Sequence, residues 1–187
     1  MVKIGTEIAS PQTGERLVFR STADSSGGRL FQAEVSIQPG PYVARSHVHR
    51  SQEESFVILA GSFGYRIGHR RGVASVGETL VCPVGVPHSQ WNAGDDVLRV
   101  YYEHRPALRS AEVFFETFFG LSREGKLTPS GQMSTLQAIV LIEEVSDFIR
   151  PSSPPVAVQQ LLFPPLAALG RRRGYRARYE RFVLPEA

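Results

Sequence analysis

Two histidines and the acids that follow them form the first group of residues able to bind a metal. The segment 40–61, GPYVARSHVHRSQEESFVILAG, places His47 and His49 one residue apart, followed by Glu53 and Glu54. In a β-strand, residues two apart point to the same face, so the two imidazoles would lie one pleat apart on one face. That spacing allows both rings to reach one ion at about 2.0–2.2 Å. Only one of the two acids can easily join them.

A second segment, 77–92 (GETLVCPVGVPHSQWN), carries a longer motif. Its spacing is G-x5-P-x-G-x2-H-x3-N, formed by Gly77, Pro83, Gly85, His88 and Asn92. The two segments together resemble the two sequence motifs of the cupin superfamily, and the second motif is matched at every position. The first motif, G-x5-H-x-H-x3,4-E-x6-G, departs only at its opening glycine, where this chain has Pro41. That glycine shapes a turn, so the departure affects no ligand.

The resemblance implies a small antiparallel barrel with one metal ion near the middle of its interior. The six-residue gap before Gly61 selects Glu54 over Glu53, and the implied ligands are His47, His49, Glu54 and His88. Three neutral imidazoles and one carboxylate suit Fe(II), Mn(II), Ni(II), Cu(II) or Zn(II), with positions left open for substrate. The alternative is an empty, structural barrel, as in cupins that have lost their metal.

The pattern of short apolar segments predicts a mainly β fold in the first part of the chain. Segments of 4–8 residues, separated by Gly, Pro, Asp and Asn, recur from about residue 15 to 105, as in an all-β sandwich or barrel. We therefore predict an antiparallel jelly-roll (cupin) barrel over residues 1–106. An α-helical extension with a basic tail is expected over residues 107–187.

Three helices are expected in that extension. The first is SAEVFFETFFGL, and the second, STLQAIVLIEEVSDFIR, opens with Ser134 and Gln137 at capping-box spacing. The third, VAVQQLLFPPLAALG, should break at Pro164 and Pro165. Between the last two helices, RPSSPP is expected to be a stiff linker.

Strand parity selects the neighbours of the predicted metal. Arg45 shares a face with His47, and Gln90 shares one with His88, so both would face the cavity. Arg45 could hold a carboxylate or an enolate, or lie in water at the rim, and Gln90 could orient the substrate. Tyr65, His104 and Glu53 are the candidates for an acid or base. Tyr65 has packing as its alternative role, and His69, in a turn, is expected to be solvated.

The charge is concentrated in the tail. The formal net charge is +3, whereas residues 171–187 alone carry six arginines and two glutamates. The rest of the chain is therefore close to neutral, which is no indication that it binds nucleic acid. Cys82 is the only cysteine, and neither a secretory signal nor a run of 18 apolar residues is visible. We expect a cytoplasmic protein in which Cys82 is a buried hydrophobe.

The predicted function is that of a mononuclear metal-binding cupin. We expect an enzyme of the dioxygenase or isomerase/cyclase type that acts on a small organic molecule. A non-catalytic sensor or carrier of a small ligand is the alternative, since one superfold hosts many chemistries. The phenylalanine-rich helices are expected to pack on the barrel or across a homodimer. An anionic membrane surface is the alternative partner for the apolar and arginine-rich end.

Overall fold

A computed structural model describes residues 2–184 of the chain. Strands account for most of the first 105 residues, and helices for most of the rest. The strands are β1 (Glu7–Ser10), β2 (Glu15–Ser21), β3 (Phe31–Ile37), β4 (His47–Val48), β5 (Glu53–Ala60), β6 (Phe63–Ile67), β7 (Arg70–Ala74), β8 (Thr79–Cys82), β9 (His88–Asn92), β10 (Leu98–Arg105) and β11 (Arg150–Pro151). The helices are α1 (Arg109–Arg123), α2 (Thr135–Glu144) and α3 (Val156–Arg172), followed by a short 3-10 helix at Glu180–Phe182.

The strands form two antiparallel sheets whose apolar faces meet. One sheet has the order β1-β2-β3-β10-β5-β8 and the other β11-β4-β9-β6-β7. Their contact is visible where the rings of Phe56 and Phe63, one from each sheet, lie 4.6 Å apart. The expected antiparallel β fold with C-terminal helices is therefore confirmed. Between residues 2 and 184 the strands pair only within their own sheet, so the pairing shows two facing sheets and does not show a closed barrel.

The helical extension packs directly on the sheets. The ring of Phe115 in α1 stacks on Phe31 of β3, with centroids 5.6 Å apart and an interplanar angle of 11°. Phe118 and Phe119, one turn further on, are also buried. These rings belong to the same apolar core as the inward side chains of the strands. The extension thus completes the core.

Three local expectations for the extension were wrong. Ser134 precedes α2 but makes no side-chain cap, and the Gln137 side chain bonds the Arg176 carbonyl and the Tyr179 hydroxyl instead of reaching back to Ser134. The helix α3 continues through Pro164 and Pro165. The carbonyls that lose a partner, four residues earlier, belong to exposed residues that water can satisfy. The predicted linker contains β11, whose Pro151 lies opposite His47 of β4.

The helix α3 leaves most of its apolar surface exposed. Only Gln159, Ala167 and Gly170 of its seventeen residues are buried, and Leu161 is 74% exposed. Among residues 2–184, no helix combines the length and the apolarity that crossing a bilayer requires. Cys82 is buried at the end of β8, as expected.

Candidate metal centre

Three histidines and one glutamate converge between the two sheets. His47 of β4 lies directly opposite His88 of β9, and His49 follows one residue after β4. Glu54 reaches the same place from β5 in the other sheet. All four residues are buried, and one potential ligand atom from each lies within 4.8 Å of the others. The two sheets therefore bring together the four residues that the motif spacing predicts as metal ligands.

Backbone carbonyls orient all three imidazoles. The Nδ1–H groups of His47 and His88 donate to the carbonyls of Arg45 and Val86, each at 2.8 Å. The Nδ1 of His49 lies 2.5 Å from the carbonyl of Phe148, which belongs to the extension. With the proton on Nδ1, each Nε2 presents a lone pair to the centre of the cluster. This is the tautomer and the outer support that metal-binding histidines require.

The distances inside the cluster fit a cation. The Nε2 atoms of His47 and His88 lie 3.0 Å apart, which is about the separation of two ligands at right angles around an ion at ~2.1 Å. Glu54 Oε2 lies 2.7 Å from His88 Nε2, and Oε1 lies 3.5 Å from His49 Nε2. Both carboxylate oxygens and His49 Nε2 are buried without a hydrogen bond. Buried polar atoms in this state are costly, and a divalent ion would satisfy all three.

The protonation states of His47 and Glu54 also favour a cation, whereas the Glu54 carboxylate raises the pKa of His88 against the effect of burial, so metal binding competes with a proton on that ring. Burial, followed by the neighbouring His88, lowers the pKa of His47 to about 3, so its imidazole is neutral. Burial alone would raise the pKa of Glu54, but His88 and His49 together hold it well below its usual range. A neutral imidazole and an ionised carboxylate are the forms that bind divalent transition metals.

An apolar cavity of about 330 Å³ leads to the cluster. His47 is the one member of the cluster that lines it. The remaining wall comes from the inward side chains of both sheets and from the extension, including Phe56, Phe63, Tyr102, Phe114, Phe115, Phe118 and Phe148. The size and the apolar lining are those of a pocket for a small organic ligand.

Residues 33–102 match the family model described as "Cupin domain". The chain contains a cupin domain. The matched part includes all four residues of the cluster, and it ends before His104 and the helical extension. No curated protein matches the sequence.

Solved structures similar to the cupin domain come from several bacteria. KdgF from Halomonas sp. is 17% identical, with 52% of this chain and 84% of that chain covered and a TM-score of 0.46. A predicted oxalate decarboxylase from Thermotoga maritima is 17% identical, with 57% and 98% covered and a TM-score of 0.48. A sugar phosphate isomerase from Silicibacter pomeroyi is 18% identical, with 49% and 59% covered and a TM-score of 0.43.

The other predicted site residues of the cupin domain lie at different distances from the cluster. Arg45 and Gln90 both line the cavity, and the Oε1 atom of Gln90 is buried without a partner. Tyr65 lies opposite Gln90 in the register but is absent from the cavity wall, and it packs on the core. Glu53 and His69 are exposed. Of the side chains for which we predicted a role beside the metal, Arg45 and Gln90 line the cavity, and Tyr65 and Glu53 do not.

His104 is the member of the neighbourhood that motif matching does not indicate. It lies opposite Glu54 in the register, fully buried, with its Nε2 atom 3.6 Å from Glu54 Oε1. Its ring is 4.5 Å from that of His49, and neither of its nitrogens has a hydrogen-bond partner. We predicted His104 as a candidate acid or base, and its inward alternation with Val100 and Tyr102 along β10 turns it toward the cluster. We infer that His104 positions Glu54 when the carboxylate binds a metal.

We expect His104→Leu to weaken Zn(II) binding by about 10–100-fold, the usual effect of losing an outer-shell partner. His104→Gln retains an N–H donor and should lose less. Competition with a chromophoric chelator measures both affinities, and His69→Leu serves as the control because His69 is exposed. Unchanged affinity in His104→Leu would show that His104 does not support the cluster.

Proposed function

We propose that this protein is a mononuclear metal-dependent enzyme acting on a small organic molecule with an aromatic or alicyclic body. The observation that carries the proposal is the connection between the buried cluster and the apolar cavity through His47. A metal site with no access to a cavity would serve structure alone, because catalytic sites keep a position open for substrate. The proposed metal is one ion of Fe, Mn, Ni, Cu or Zn, held by His47, His49, Glu54 and His88.

The chain's own residues would bind and orient the substrate. A bound ion would supply Lewis-acid polarisation of a substrate oxygen, or activation of dioxygen if it is redox-active. The Oε1 atom of Gln90 would accept a hydrogen bond from a substrate hydroxyl, and the Arg45 guanidinium would hold a carboxylate or an enolate. The phenylalanine rings of α1 would exclude water from the bound substrate, which strengthens these polar contacts.

The test combines metal analysis with turnover. The full chain is purified without added metal, analysed for its elements, and reloaded separately with each of the five ions. Oxygen consumption and product formation are then followed over enols, catechols and flavonoid-like compounds. We expect turnover with at least one ion, lost in a Glu54→Gln variant. A fully loaded protein that binds compounds but converts none of them would contradict the enzymatic proposal.

A non-catalytic carrier or sensor is the second candidate. It is favoured by the two predicted substrate-binding side chains that line the cavity, Arg45 and Gln90. Neither of them is an ordinary general base at neutral pH, and His47, which also lines the cavity, is a proposed ligand. Binding without conversion in the same experiment would support this candidate.

Several features that we expect from the sequence remain predictions. They are the closed jelly-roll barrel, the cytoplasmic location, the homodimer and the anionic membrane surface as alternative partner. The exposed side of α3 is the surface that either partner would contact. It presents Leu161 and Leu162 and ends at Arg171, Arg172 and Arg173.

A further inference from the structure

The cavity has a second polar group at the end away from the metal cluster. Glu15 opens β2 and lines the cavity together with Leu17, the next inward residue of that strand. It lies opposite Ile37 of β3, which in turn lies opposite Leu98 of β10. The cluster is at the level of His104, six residues further along β10. At ~3.3 Å per residue, the two levels are about 20 Å apart along the strands.

The carboxyl group of Glu15 has few partners inside the protein. Its Oε2 atom accepts a hydrogen bond of 2.8 Å from the Thr13 hydroxyl. Among residues 2–184, no other side chain forms a hydrogen bond with this carboxyl group. Burial raises the pKa of Glu15 to about 7, although the bond with Thr13 lowers it. A carboxyl group in an apolar cavity with one partner is costly to the fold. Such a cost is commonly found where a ligand supplies the missing partner.

Two further segments of the chain form the wall around Glu15. Tyr42 lines the same end of the cavity, as does Gln132. Gly131, at a positive φ of 73°, brings its loop so close that a Cβ atom there would lie 2.8 Å from side-chain atoms of both Thr13 and Tyr42. The loop 128–133 therefore packs beside the Glu15 end of the cavity, where Glu15 is half-buried.

We propose that Glu15 binds a hydroxyl group at the far end of the substrate, and so selects molecules with an extended apolar body and polar groups at both ends. The inference rests on the proposed function, because it assumes that the cavity holds the substrate. A hydroxyl suits this position because it can donate to an ionised carboxylate or accept from a protonated one. The apolar side chains between the two ends favour a body of two or more linked rings.

A matched pair of probes tests the proposal. Both carry a catechol for the metal end: 3,4-dihydroxy-trans-stilbene and 3,4,4′-trihydroxy-trans-stilbene, which adds a hydroxyl at the other end. Calorimetric titration of the metal-loaded full chain gives the two dissociation constants. We expect the trihydroxy probe to bind about tenfold tighter, as one net hydrogen bond allows. In Glu15→Leu the preference should disappear, whereas Glu15→Gln should retain part of it.

The controls separate the outcomes. Glu15→Leu removes a half-buried carboxyl that has one side-chain partner, so the variant should unfold in urea at no lower concentration than the parent at pH 8. Equal affinities for the two probes in the parent, or an unchanged preference in Glu15→Leu, would overturn the role of Glu15 alone. If neither probe binds the parent, both this inference and the proposed small-molecule function fail.

Discussion

The His47→Ala/His88→Ala double variant is expected to purify without bound metal, while the parent holds about one ion per chain. The variant retains only His49 and Glu54, and it loses the two Nε2 atoms that lie 3.0 Å apart. Each removed imidazole is a direct ligand in the proposed site. The loss of metal affinity should therefore be greater than the loss of about 10–100-fold that follows removal of an outer-shell partner. Elemental analysis of both proteins, purified side by side, measures the effect.

A second readout shows whether the metal binds the folded protein specifically. An ion that binds only the native state raises the free energy of unfolding as its concentration exceeds its dissociation constant. Added Zn(II) should therefore raise the urea midpoint of the parent and leave that of the double variant unchanged. His69→Ala, which changes an exposed histidine, should respond like the parent. Full metal content in the double variant would refute the four-ligand site.

Much of the candidate site follows from strand parity and motif spacing. One-residue spacing puts His47 and His49 on one face, and the structure turns both inward, buried beside His88. Glu54 is buried and Glu53 exposed, as alternation along β5 requires. His104 and Glu15 obey the same alternation on β10 and β2. From the sequence, His104 is only one of three candidate acids or bases and Glu15 is not singled out, because no motif distinguishes either from other polar residues at strand ends.

The parts that the sequence could not predict depend on long-range contacts. The two-residue strand β11 contains Pro151, whose local preference is against a sheet, and it exists because it pairs with β4. The helix α3 continues through Pro164 and Pro165 because the carbonyl groups that lose their hydrogen bonds lie on its exposed side, where water can bind them. That the phenylalanines of α1 form a cavity wall could not be derived from their helical spacing, since the spacing defines a face but not what covers it.

Phe148→Ala is expected to lower the free energy of unfolding by about 3–5 kcal/mol, the usual cost of truncating a buried phenylalanine. Phe148 is 1% exposed, and its ring lies 5.0 Å from His49 and 5.1 Å from His104. It also contacts Phe114 and Phe115 of α1. The ring thus joins the extension to the layer of the metal cluster. Urea unfolding of the full chain, with the metal content held equal, measures the loss.

Two further variants make this result specific. Phe148→Leu keeps most of the apolar volume and should lose much less, whereas Val76→Ala changes a side chain that is 61% exposed and should stay within about 0.5 kcal/mol of the parent. A loss below ~1 kcal/mol in Phe148→Ala would mean that the extension is not packed on the sheets as described. Metal content should nevertheless persist in Phe148→Ala, because the contact that orients His49 comes from the backbone carbonyl of residue 148. Stability and metal binding should therefore separate: the ring of Phe148 holds the extension in place, and its carbonyl holds the ligand.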